Sequence, residues 1–144
     1  MGNKDKPTPQ LELEKRALEL INYTYKLLPK FPKVERHGLC EVLKEGTYKI
    51  AQHSSLISSY FERNNREPLL RELYAEIKTM MMFVHVAYVH GYISSKNLEA
   101  WVRKLNDVNT IVAGWLMKMD EARQAAKKNA ERTNHEMPSE RLFD

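Results

Sequence analysis

The segment SKNLEAWVRKLNDVNTIVAGWLMKM, residues 95–119, sets the reading of the whole chain. Its apolar positions Leu98, Trp101, Leu105, Val108, Val112, Trp115 and Met119 alternate steps of three and four over three heptads. That spacing returns each side chain to one side of an α-helix, the face a bundle buries. Ser94 or Ser95 supplies an N-cap, since a serine hydroxyl accepts from the first unpaired backbone N–H groups. From Asp120 the sequence turns polar (EARQAAKKNAERTNHEMPSERLFD). The composition predicts a helix continuing to about Arg132, then disorder around Pro138.

Working back toward the N-terminus, three more helices follow from the same period. Helix three opens near Glu67-Pro68, where proline is tolerated in a first turn, and runs on Leu70, Leu73, Ile77, Met80 and Val84 to a stop at His90-Gly91. Helix two is expected from near Val34 to about Phe61 on the stripe Leu39, Leu43, Gly46, Ile50, His53, Ile57 and Tyr60, with Asn64-Asn65 as the turn after it. Gly46 on that stripe is expected to admit a neighbouring helix closely, although glycine weakens a helix by about 1 kcal/mol relative to alanine. Helix one spans Gln10 to Leu28 after Pro7 and Pro9, with Leu18, Ile21, Tyr25 and Leu28 as its stripe. Pro29 and Pro32 end it, because neither donates to a continuing ladder. There is no strand pattern and no long repeat. The predicted fold class is all-α: an antiparallel up-down-up-down four-helix bundle over residues 10–119. A disordered tail, 1–9, precedes it, and a polar extension, 120–144, partly helical and then disordered, follows.

Composition agrees with that frame. The 144 residues are 42% hydrophobic with a mean hydropathy of −0.59, enough for one domain with a real core. The single cysteine, Cys40, excludes an internal disulfide and a cysteine-based zinc site. MGNKDKPTPQ lacks an apolar signal core, and Lys6 stands where N-myristoylation wants Ser or Thr. The best apolar run, Met80–Val89, contains His85 and falls well short of the roughly 18 residues of a membrane span. A soluble cytoplasmic protein with no membrane attachment is expected.

The pattern argues against an enzyme. The five histidines are scattered, with no His-x3-His or Glu-x-x-His pair to hold a metal, and no glycine-rich phosphate loop occurs. No catalytic residue, metal or cofactor is expected, and Cys40 reads as a small residue in or near the core. Met80, Met81 and Met82 cannot all face one core, since successive helical positions turn by about 100°. One of them, with the extra apolar positions Val102, Ile111 and Leu116 of helix four, predicts a homo-oligomer. Charge carries more information. Residues 1–66 hold 12 basic and 8 acidic side chains, whereas 67–144 hold 11 of each. Lys26, Lys30, Lys33, Arg36, Lys44 and Lys49 crowd the end of helix one, the turn and the start of helix two, opposed only by Glu35, Glu41 and Glu45. Arg71, Lys78 and His85 recur at seven-residue steps on helix three. A solvated face is the plain reading of such a set, but repetition around a ring multiplies it into a surface for phosphates. Nothing accompanies it that reads base edges.

The turn LPKFPKVERHGL, residues 28–39, resembles the P-K-x-x-R-x-x-L signature of the Avd-like proteins, the accessory variability determinants of diversity-generating retroelements. Gly91-Tyr92-Ile93-Ser94-Ser95-Lys96-Asn97-Leu98-Glu99 is similar to that family's turn into helix four, and Val112-Ala113-Gly114-Trp115-Leu116 to its Gly-Trp ending. The resemblance covers about residues 12–119. It implies a non-enzymatic subunit of a positively charged homopentameric barrel. Such a subunit binds the retroelement's reverse transcriptase and nucleic acid, template RNA or cDNA, and supports mutagenised cDNA synthesis. The family motif falls on Pro32, Lys33 and Arg36, and on Gly114 and Trp115. Pro32 is expected to fix the turn and Gly114 to permit close packing beside Trp115. Arginines that the family often carries late in helix three are replaced here by Phe83, Val84, His85 and Tyr88, which moves weight to the helix-one/helix-two cluster. The ribosomal-RNA intervening-sequence proteins share the Pro-Lys…Arg…Leu element but usually carry an Asn-Ile-Ala-Glu-Gly-like run where this chain has Ile50-Ala51-Gln52-His53-Ser54. The alternative is therefore a generic oligomeric four-helix scaffold without nucleic-acid binding.

Overall fold

Thr8 opens the first helix: its hydroxyl accepts from the Leu11 N–H at 3.2 Å, and Pro9 follows where its missing N–H costs nothing. The computed structural model describes residues 8–59 and 66–136. They form α1 (Pro9–Leu27), α2 (Leu39–Ser59), α3 (Arg66–Val89) and α4 (Ser95–Glu136), with no strand among the described residues. Two 3-10 turns, Leu28–Lys30 and Lys33–Glu35, join α1 to α2. Helix α1 packs on α2 and α4, and α3 packs on the same two. No described helix is long and apolar enough to cross a membrane. Of the expected tail 1–9, residues 1–7 lie outside the described residues, as do the expected turn at Asn64-Asn65 with Tyr60 and Phe61, and Pro138, while Thr8 and Pro9 are the cap and first residue of α1.

Helices α3 and α4 bury the stripes their spacing predicts. Leu70, Leu73, Ile77, Met80 and Val84 are buried, as are Trp101, Leu105, Val108 and Val112, while Leu98, Trp115 and Met119 pack half-buried against them. Ser94 is the N-cap of α4: its hydroxyl accepts from the Asn97 N–H. Gly91, at φ +77°, ends α3 in a Schellman turn, with Tyr92 N–H bonded to Ala87 O and Gly91 N–H to Tyr88 O. Of the three methionines, Met80 is buried and Met82 exposed, as the 100° step requires. Val102, Ile111 and Leu116 pack partly buried against the core, so the protomer itself covers much of α4's extra apolar surface. Helix α4 runs to Glu136, four residues past the expected end.

The first two helices depart from the expected stripes. In α1 the buried positions are Leu13, Ala17, Leu20, Thr24 and Leu27; Leu28 is buried too, but Leu18 is 58% exposed and Tyr25 47%. The helix carries two apolar faces, and the core takes the one that includes a threonine. Thr24 tolerates burial because its hydroxyl donates to Leu20 O at 2.9 Å and accepts from Trp101 Nε1 at 3.0 Å. Around it, Tyr23 and Phe31 meet the Trp101 ring edge-on, and Phe31 leans on Tyr92. Helix α2 starts at Leu39, not Val34. Pro32 in extended conformation caps a 3-10 turn instead, and Val34 projects into solvent. Thr47 and Ser54 occupy the α2 core line in place of Gly46 and His53. Thr47 satisfies its hydroxyl on Lys44 O, while the buried Ser54 hydroxyl has no hydrogen-bond partner among the described residues; His53 lies one position round from Ser54, facing Glu72 of α3. A Cβ at Gly46 would sit 3.4 Å from Met80 Sδ, so this glycine faces a flexible side chain, not a tightly apposed backbone.

Candidate nucleic-acid interface

The α1–α2 junction is built as a rigid corner with its cations turned outward. Phe31 plugs the core between the two 3-10 turns. The Cys40 thiol donates to Leu28 O at 3.8 Å, and burial pushes its pKa up, reinforced by Glu35 and opposed by Lys44 and Arg36. The thiol packs half-buried against the core. Glu35, one of two acids inside the basic run from Lys26 to Lys44 with the exposed Glu41, is folded back over Gly38, where a Cβ would fall 2.8 Å from its Oε1. Desolvation, and the charge of this carboxylate, push the pKa of the Tyr92 hydroxyl up. Gly38 thus gives room for the carboxylate to turn inward. Lys26, Lys30, Lys33, Arg36 and Lys44 are all exposed. Among the described residues none of the five has a carboxylate within ion-pair distance. Lys44 instead rides over the Tyr25 ring at 5.9 Å. Pro32 sits at the hinge of the corner, with Glu35 N–H returning to its carbonyl.

Other members of the sequence-derived set sit in different surroundings. Lys49 pairs loosely with Glu45 at 3.9 Å and contributes to the field around Glu76. Arg71 bonds Glu67 at 2.9 Å and reaches Asp120 at 3.8 Å, in a cluster that Arg123 completes from α4. This cluster lies where the start of α3 meets α4, away from the α1–α2 corner. Lys78 lies over the Tyr74 ring at 5.6 Å, exposed in mid-α3. Trp115 is half-buried under the Arg66 guanidinium at 5.9 Å. Gly114 meets nothing within 4 Å of a built Cβ, so the close packing expected beside Trp115 does not exist within the protomer.

Sequence reasoning placed His53 in the core line and missed its role. Its Nε2 lies 2.7 Å from Glu72 Oε2 and its Nδ1 2.9 Å from Lys49 O. Glu76 Oε2 comes within 3.0 Å of Nδ1, a close charge contact without a hydrogen bond. Both ring nitrogens face acceptors, so only the imidazolium donates at both ends. Burial pulls the His53 pKa down, but the Lys49 carbonyl and the two glutamates outweigh it, and the net shift is upward. Glu76 is pushed up, chiefly by burial. A raised folded-state histidine pKa stabilises fully below the unfolded value, about 6.5, and that contribution is lost as pH rises through the folded value. Urea midpoints of the wild type should therefore fall between about pH 6 and pH 8. His53→Gln should flatten that slope; an equally steep slope in the variant would remove His53 as its source.

Among the described residues no group of three or more His, Cys, Asp or Glu is arranged to hold a metal ion. The model of the family described as bAvd-like matches residues 11–119, which hold the four helices up to Met119 and leave the end of α4 beyond it. No curated protein matches the chain.

Proposed function

Because the chain belongs to the bAvd-like family, we propose that it serves as a non-enzymatic accessory subunit of a diversity-generating retroelement. In this reading it binds the element's reverse transcriptase and nucleic acid, template RNA or cDNA, and supports mutagenic reverse transcription in the cytoplasm. The observation that carries the nucleic-acid half is the corner of Lys26, Lys30, Lys33, Arg36 and Lys44, all exposed and without a carboxylate at ion-pair distance among the described residues; of the two acids interspersed, Glu35 is half-buried and folded over Gly38, and Glu41 is exposed. Phosphates are held there through charge and counterion release, without base readout. Lys49, Arg71 and Lys78 add to the field from α2 and α3, although carboxylates beside Lys49 and Arg71 reduce their share.

The bundle is read as up-down-up-down. Tyr25 meets Lys44 and Leu28 meets Cys40; Gly46 neighbours Met80 and His53 meets Glu72; Glu67 meets Arg123 and Arg71 nears Asp120. In each pair of helices one number rises as the other falls, which supports antiparallel neighbours. Subunits are read as a ring of five, in line with the family. Tagged protein co-expressed with the reverse transcriptase encoded beside it is expected to retain the polymerase through a nuclease wash. Light scattering of the protein alone should give a mass near five times 16.9 kDa. A monomer that releases the polymerase would overturn the reading.

A further inference from the structure

The exposed apolar face of α1 and the groove between α2 and α3 have complementary shapes and charges. On α1, Leu11, Leu18 and Tyr25 recur at seven-residue steps and stand on one exposed side, with Lys15 exposed between the first two. On α3, Met82, 70% exposed, Val86, and Val89, 78% exposed, run in four-three steps on the side away from its core stripe. The same line continues back through Thr79 and Ala75 into a cleft of about 340 Å³ between α2 and α3. Glu45 and Glu76 line that cleft, Glu72 stands beside it on His53, and Lys49 is the cation facing them. An apolar stripe interrupted by a lysine on one element, and an apolar groove flanked by glutamates on another, fit each other.

Heights along the bundle agree. Using α2 as a ruler, Tyr25 lies beside Lys44, and Gly46 beside Met80. Lys15 lies ten residues back along α1, about 15 Å, while His53, nine residues along α2 from Lys44, meets Glu72. A neighbouring copy related by rotation about an axis along the helices keeps these heights, so its Lys15 arrives level with Glu72 and Glu76. We propose that α1 of one copy lies in the α2/α3 groove of the next, with Lys15 set against Glu72 and Glu76. Two different faces make a head-to-tail contact, the type that closes into rings. The proposal rests on the reading of the chain as a ring-forming subunit and names the surfaces that build the ring.

Disulfide trapping in the full-length Cys40→Ala background tests it. On the same heights Leu18 comes level with Ala75 and Tyr25 with Met82, so Leu18→Cys combined with Ala75→Cys, or Tyr25→Cys combined with Met82→Cys, should give, on mild oxidation, a ladder of covalent multimers up to the ring size. Each cysteine alone should give none. Dimers from Leu18→Cys alone would mean that like faces meet, and would overturn the proposal. So would an assembled oligomer, verified by light scattering, in which no pair cross-links; that outcome leaves the assembly intact and gives the groove to another partner. A wild-type monomer would remove assembly and groove together. As a second readout independent of the cysteines, Lys15→Glu should dissociate the oligomer at least tenfold more readily, and Glu72→Lys in the same chain should restore it. Dissociation without rescue, in variants with unchanged circular dichroism, would contradict the charge pairing.

Discussion

Replacing Lys30, Lys33 and Arg36 together by glutamate is expected to abolish nucleic-acid binding and leave the helices folded. All three side chains project from the two 3-10 turns and their cap, outside the core that Phe31 and Leu28 close. Exposed substitutions of this kind usually change stability by no more than about 0.5 kcal/mol. Their effect on affinity is larger by orders of magnitude, because each neutralised phosphate adds its own share of counterion release. The slope of log K against log salt should flatten by about 0.7–0.9 for every phosphate that the variant no longer neutralises. Fluorescence anisotropy over a salt series measures this, with circular dichroism as the folding control. Wild-type protein should also treat RNAs of equal length and secondary structure alike, since nothing at the corner is set to read bases. A folded triple variant with unchanged affinity and slope would move the interface elsewhere.

The largest effect on stability is expected at Trp101. Its ring is fully buried against Tyr23 and Phe31, and its N–H is anchored on Thr24 of α1. Trp101→Ala removes the central packing unit between α1 and α4 and should cost about 3–5 kcal/mol. Thr24→Val keeps the volume but strands the indole N–H in a dry core, at a cost of about 1–3 kcal/mol. Urea denaturation at one fixed protomer concentration compares them, since assembly makes stability concentration-dependent. Because the two groups form one unit, the double variant should lose less than the two singles combined. Additive losses would show that the hydrogen bond contributes little.

Helices three and four were legible from spacing because each has one dominant apolar face, so period alone picks the core. Helix one was not. Leu18, Ile21 and Tyr25 form as good a stripe as Leu13, Ala17 and Leu20, and only the partner Trp101 offers Thr24 decides which turns inward. The same holds in α2, where Thr47 and Ser54 look polar in the sequence yet lie inside. Thr47 reaches its own helix's carbonyl at Lys44, which hydropathy does not register, whereas the buried Ser54 hydroxyl has no hydrogen-bond partner among the described residues. The basic residues of the corner were visible as a run. What the sequence did not reveal is how Glu35 folds back, which needs the space above Gly38. Nor did it separate Arg71 from the corner, because seven-residue steps give a face and not the acids across from it.

The most direct measurement of the central claim is cDNA synthesis on the retroelement's template RNA by its reverse transcriptase, with and without this protein. Addition of the wild type is predicted to switch on or strongly raise synthesis of template-primed cDNA, and the folded triple-glutamate variant to fail. A polymerase whose cDNA yield, length and error pattern are the same with and without the protein would contradict the account.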